Sequence, residues 1–168
     1  MTDPGHHGAP QPQLYTDAER QRRDSSPWTL VQGILAPVQF LIFLISLGLV
    51  MRTLITGEGA FAAHLSILAK TLALYTIMIT GALWEKDVFG QYLFAPAFFW
   101  EDVVSFVVIA LHTLYLTGLV FGLMDDRALF IITLLAYATY VVNAAQFLWK
   151  LRVARLTAPR SQTMGATL

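Results

Sequence analysis

Cysteine is absent from the 168 residues. That one absence removes disulfides, thiolate metal sites, iron–sulfur clusters, thioether-linked haem and cysteine nucleophiles together. Charge is scarce as well: Asp, Glu, Lys and Arg make up 13% of the chain, against about 25% in soluble domains. The 11 basic residues balance the 11 acidic ones, so no net field draws in nucleic acid or another polyanion, and no nucleic-acid partner is expected. A cleaved signal segment is not expected either. The first apolar run starts at Trp28 and stays uncharged to Met51, well beyond the roughly 7–15 residues of a signal core.

What the sequence has instead is apolar surface. Hydrophobic residues reach 56%, more than so few polar residues can shield from water. The charges fall in clusters separated by long uncharged runs, the pattern of a chain solvated by a bilayer.

Four apolar segments, Trp28–Met51, Ala62–Trp84, Val103–Leu123 and Leu129–Trp149, each approach the ~20 residues needed to cross a hydrocarbon core. Short connections at Arg52–Phe61 and Met124–Ala128 force antiparallel neighbours, so the expected fold is all-α: four transmembrane helices in an up-down bundle. Only the connection Glu85–Asp102 reads as long. The expected organisation is a disordered tail over 1–27 ending in an interfacial anchor, a membrane domain over 28–156, and a C-terminal tail over 157–168. His6 and His7 read as part of a solvated tail rather than a metal site. Pro37 is expected to kink the first span.

Orientation follows from the cations. Arg20, Arg22, Arg23, Lys86, Lys150, Arg152, Arg155 and Arg160 fall on one side, against Arg52 and Arg127 on the other. The positive-inside rule then makes both termini and the long connection cytoplasmic, in a bacterial inner or intracytoplasmic membrane. Trp28, Trp84, Trp100 and Trp149 fall on that same interface, where an amphipathic indole is favoured.

Each span carries a polar stripe. Gln32, Gln39 and Ser46 recur every seven residues in the first span. His64, Thr71 and Tyr75 share a face of the second. Glu101, Ser105 and His112 fall within a ~40° wedge of the third, and Thr139, Asn143, Gln146 and Lys150 align on the fourth. Interhelical hydrogen bonding, typically worth ~0.6 kcal/mol per contact, accounts for Ser46, Thr71 and Thr139; for His112 that reading and a functional one balance. Lys70, alone among the charged residues inside a span, is expected to snorkel its ammonium outward.

The densest pattern lies between the second and third spans. Trp84, Phe89, Tyr92, Phe94, Phe98, Phe99 and Trp100 are bracketed by Glu85, Asp87, Glu101 and Asp102. Aromatic faces suit a large planar ligand, and a carboxyl in a partly dry site can keep its proton and act as an acid. An interfacial aromatic belt explains the tryptophans but not the acids packed among them.

These strings resemble the 3-vinyl bacteriochlorophyllide hydratase family, also called chlorophyllide a hydratase. The likeness is carried by Thr56-Gly-Glu-Gly-Ala-Phe-Ala-Ala-His64, Gly81-Ala-Leu-Trp-Glu-Lys86, Phe94-Ala-Pro-Ala-Phe-Phe-Trp-Glu-Asp102 and the lead-in Pro27-Trp-Thr-Leu-Val-Gln32, and it runs from about Leu14 to Leu156. The resemblance implies addition of water to the C3 vinyl group of chlorophyllide a or 3-vinyl bacteriochlorophyllide a, giving a 1-hydroxyethyl group. Such a hydration needs an acid, a base to orient water and a partly dry pocket, but no redox cofactor and no protein-bound metal.

From the residues themselves, Glu101 with Asp102 is the first choice for the acid and base, and Glu85 the second. Trp84, Phe94, Phe98, Phe99, Trp100, Tyr75, Asn143 and Gln146 are expected to line the substrate site. His112 or His64 would ligate the substrate's own Mg²⁺ as a neutral imidazole. Membrane lipid surrounds the chain, and a homo-oligomer or association with other pigment-biosynthesis enzymes stays open. Two rival classes remain at this point. A haem- or quinone-binding anchor is disfavoured because His64 and His112 differ by ~13 Å in depth. A small transporter or assembly subunit is disfavoured because internal repeats and broken helix pairs are missing.

Overall fold

The computed structural model describes residues 14–156. The expectations for residues 1–13, His6 and His7 included, and for the tail at 157–168 lie outside the described residues. Within them the regular elements are five helices: α1 (Asp17–Ser25), α2 (Pro27–Thr56), α3 (Ala60–Phe89), α4 (Phe99–Val120) and α5 (Asp126–Leu156). Four, α2 to α5, are long and apolar enough to cross a membrane.

Local chemistry sets the boundaries. Thr16 and Glu19 form a reciprocal capping box at the start of α1: the Glu19 carboxylate accepts from the Thr16 N–H at 2.7 Å, and the Thr16 hydroxyl accepts from the Glu19 N–H at 3.3 Å. This satisfies two N–H groups the helix cannot pair internally. Ser26 caps α2, whose first residue is Pro27, and its hydroxyl also donates to Asp87 at 2.8 Å, tying the α1–α2 junction to α3. Gly57 and Gly90 end α2 and α3 with φ of 74° and 83°, conformations that an L side chain would strain. Pro37 lies inside a continuous α2.

Two sequence expectations change here. The segment just before the first span is not irregular, because the capping box and the buried Tyr15 hold Asp17–Ser25 as a short helix against the bundle. The long connection is also shorter than expected. Both flanking helices continue past the apolar runs, so the link spans only residues 90–98 and the carboxylates sit on helices.

In the bundle α2 packs chiefly along α3, and α4 along α5, with lighter α2–α5 and α3–α4 contacts closing the ring. The interior has three apolar layers. Val50, Ala63, Ile67, Tyr115, Leu129 and Phe130 fill one end; Phe43, Leu74, Val108, Tyr137 and Tyr140 fill the middle; Tyr15, Val88 and Phe98 fill the other end. Leu30, Ile34, Leu41, Ile45, Leu72 and Ile79 point outward, as lipid-facing side chains do when the backbone is satisfied within each helix.

Lys70 overturns the snorkelling expectation. Its side chain is fully buried at 0% exposure, with Nζ 3.7 Å from the centre of the Tyr140 ring. With the Gln39 amide turned so that its oxygen faces Nζ, that oxygen accepts from Nζ at 3.2 Å and its nitrogen donates to the Ala73 carbonyl at 3.3 Å. The polar stripe of α2 gives the ammonium an inward partner, and the ring face stabilises it further.

Candidate active site at the α3–α4 end

Glu85 on the last turns of α3 meets Glu101 and Asp102 on the first turn of α4, all three at most 5% exposed. Acids favour a helix N-terminus through the macrodipole. These two do more, because the link between the helices folds back onto them. Asp102 Oδ2 accepts the Phe94 N–H at 2.6 Å, and Glu85 Oε2 accepts the Ala95 N–H at 3.1 Å. Phe94 sits at φ 60°, and among the described residues it alone combines positive φ with a side chain. Such a conformation costs about 1–3 kcal/mol and persists where surrounding contacts hold it; here Asp102 holds it.

The Glu85 and Asp102 carboxyls lie close enough to interact, and two buried like charges at such range favour keeping a proton on one of them. Glu101 is engaged differently. Its Oε2 lies 2.5 Å from Lys150 Nζ, and Lys150 also donates to the Ala97 carbonyl and stands 5.0 Å over the Phe98 ring. The Glu101 carbonyl accepts from Asn143 Nδ2 and from Ser105 Oγ, each at 2.8 Å. The site therefore contains one carboxylate paired with an ammonium and a second pair of buried, interacting carboxyls. Gln146 Oε1 is buried without a hydrogen-bond partner.

The aromatics expected to act as one set divide into two. Phe94 stacks on Phe106 at 5.4 Å and 11°, touches Phe99 at 5.7 Å, and Phe99 meets Trp100 edge-on at 5.4 Å. All four are exposed, with Trp100 at 68%, and they form an outward-facing ledge beside Asp102. Trp84, Phe89, Phe98 and Phe147 instead pack inward with Tyr15, and Trp84 Nε1 donates to Thr29 Oγ1 at 2.9 Å. Phe98 is buried in this layer and Trp84 half-buried, both on the inner side of the link and apart from the ledge. Burial of Tyr15 in this layer pushes its phenol up to about 12, against a smaller opposing effect of Arg23.

The remaining candidates lie elsewhere. Tyr75 bonds Thr113 Oγ1 at 2.8 Å, linking α3 to α4. His64 sits at the opposite end, its Nδ1 2.8 Å from the Tyr115 hydroxyl and its Nε2 3.1 Å from Asp126. Both ring nitrogens are occupied, which leaves it no lone pair for a substrate metal. His112 bonds the Val108 carbonyl through Nδ1 at 2.8 Å, and its buried Nε2 has no partner. It lies about 16 Å along α4 from Glu101. Among the described residues no group of three or more His, Asp or Glu could hold a metal ion.

Sequence reading missed the role of Lys150, although its stripe with Asn143 and Gln146 was visible. It also missed Phe106 and the Phe94 and Ala95 N–H groups. The signal for Lys150 was a cation on the same helix face as two amides; its pairing with Glu101 is tertiary and leaves no periodic trace.

Comparison with known proteins identifies the relatives of this arrangement. The profile of the 2-vinyl bacteriochlorophyllide hydratase family matches residues 15–153. A 2-vinyl bacteriochlorophyllide hydratase of Rhodobacter capsulatus is 70% identical over 145 residues, covering 86% of this chain and 84% of the relative. One of Cereibacter sphaeroides is 66% identical over 154 residues, covering 92% of this chain and 96% of the relative. No solved structure matches the chain.

Proposed function

This chain belongs to the 2-vinyl bacteriochlorophyllide hydratase family, and on that premise we propose that it hydrates the vinyl group of chlorophyllide a or 3-vinyl bacteriochlorophyllide a to a 1-hydroxyethyl group. The vinyl position is 2 in the older ring numbering and 3 in the systematic one. The observation that carries the mechanism is the buried, interacting Glu85–Asp102 pair beside an exposed aromatic ledge.

The macrocycle lies against Phe94, Phe99 and Phe106, whose faces match its own, and the vinyl arm turns inward to the carboxyls. The proton held between Glu85 and Asp102 passes to the terminal vinyl carbon as the π electrons form the new C–H bond. Positive charge develops on the inner carbon and spreads into the macrocycle. A water oxygen closes the C–O bond there, and its proton returns to the pair, which regains its starting state. One pair thus acts as acid and then as base.

Glu101, the first choice from sequence, gives way to this pair because its carboxylate is committed to Lys150. The Glu101–Lys150 ion pair fixes the charge beside the reaction and anchors α5 to α4. The reading extends to location: the chain sits in the inner membrane with both termini and the site on the cytoplasmic side, as the eight cations at that end favour.

Deletion of the gene tests the class of function. The expected result is accumulation of 3-vinyl pigment, cured by supplying the chain. An unchanged pigment profile would contradict hydration and favour the anchor or transporter classes.

A further inference from the structure

The mechanism does not use the most unusual group in the bundle. Lys70 lies at 0% exposure in the middle of α3, and among the described residues no carboxylate lies within ion-pair distance of it. Its ammonium is held by one amide oxygen and one aromatic face. His112, close enough to interact electrostatically with Lys70, presents a buried Nε2 with no partner. An ionisable residue at this depth is rare and marks a functional site unless paired. Lys70 thus keeps donor capacity in a dry interior with no acid to match it, beside an imidazole lone pair that also lacks a partner.

We propose that Lys70 receives the carboxylate of the pigment, the free propionate that distinguishes a chlorophyllide from its ester. The proposal rests on the hydratase reading for the identity of the ligand. Its geometry is a matter of length. Lys70 and Glu85 are fifteen residues apart on the same helix, or about 22 Å between Cα atoms. From vinyl carbon to propionate carboxylate a chlorophyllide spans ~12 Å, and a hydrogen-bond contact at each end brings this to ~18 Å. Side-chain reach covers the difference. A pigment anchored at Lys70 therefore delivers its vinyl end to the Glu85–Asp102 pair, and the lighter α3–α4 packing is the seam through which it enters from the lipid. The anchor selects the free acid over the ester and fixes which edge of the macrocycle meets the acid.

Titration of the purified, detergent-solubilised protein with chlorophyllide a and with its methyl ester tests this, read by pigment absorption and by KM. A charge-assisted hydrogen bond predicts that the wild type binds the free acid on the order of ten- to hundredfold more tightly than the ester. Lys70→Met should bind both pigments alike, at the ester's affinity. Equal affinity of the wild type for acid and ester overturns the anchor and leaves Lys70 a structural residue held by Tyr140 and Gln39; that comparison needs no variant to fold. Discrimination retained in Lys70→Met overturns it as well. Discrimination in binding without any hydration supports the anchor while overturning the hydratase reading, and hydration without discrimination does the reverse.

Discussion

Asp102 holds the strained Phe94 backbone and borders the aromatic ledge, and in the proposed mechanism it shares a proton with Glu85. Asp102→Asn and Glu85→Gln each remove the shared acid while keeping shape. Turnover in steady-state assays should fall by about 10²–10⁴-fold, the usual worth of general acid catalysis, with Glu101→Gln less affected. Near-normal turnover in Asp102→Asn together with loss in Glu101→Gln would return the acid role to Glu101. Lys150 gives a stability test at the same scale. Lys150→Met leaves the Glu101 charge buried and unpaired, at a cost of about 3–5 kcal/mol. The double variant Glu101→Gln/Lys150→Met should melt closer to wild type than Lys150→Met alone; additive losses would mean the pair is not coupled. The residues of this site were legible in the sequence as types, since acids among aromatics at an interface need an explanation. Their division of labour was not, because which carboxyl meets Lys150 and which meets a backbone N–H depends on how the link folds back.

The helices were legible as apolar runs, but their ends were not. Hydrophobicity reports where lipid begins, whereas a helix stops where its terminal backbone groups find caps. Gly90 and the Phe98 turn, not the polar residues at 85 and 102, therefore bound the α3–α4 link. The same distinction explains α1, a polar helix made by its capping box and by Tyr15 rather than by an apolar face. Lys70 was misread for a related reason: a helical wheel of α3 alone cannot show that Gln39 of α2 faces it. Close approach of α4 and α5 depends on Gly118, where an added Cβ would stand 2.9 Å from Leu129 Cδ2. Alanine there is absorbed by a shift of that flexible side chain, but Gly118→Val overpacks the contact. A loss of about 1–3 kcal/mol in thermal unfolding is expected, and an unchanged melting temperature would contradict the tight crossing.

Across the whole molecule, four spans place both termini on one side. The orientation proposed above puts that side in the cytoplasm. A reporter fused after Leu156 should be active only as a cytoplasmic reporter; periplasmic activity would move the carboxylates to the wrong face of the membrane. Span number was the feature most legible in sequence, because it is a sum over many residues and survives errors at single positions. The direct measurement is conversion of a 3-vinyl chlorophyllide by the purified protein in H₂¹⁸O, without nucleotide or reductant, followed by mass spectrometry of the pigment. The expected product carries one ¹⁸O, located in the new side-chain hydroxyl. Unchanged vinyl pigment, or a hydroxyl without the solvent label, would contradict direct hydration by this chain.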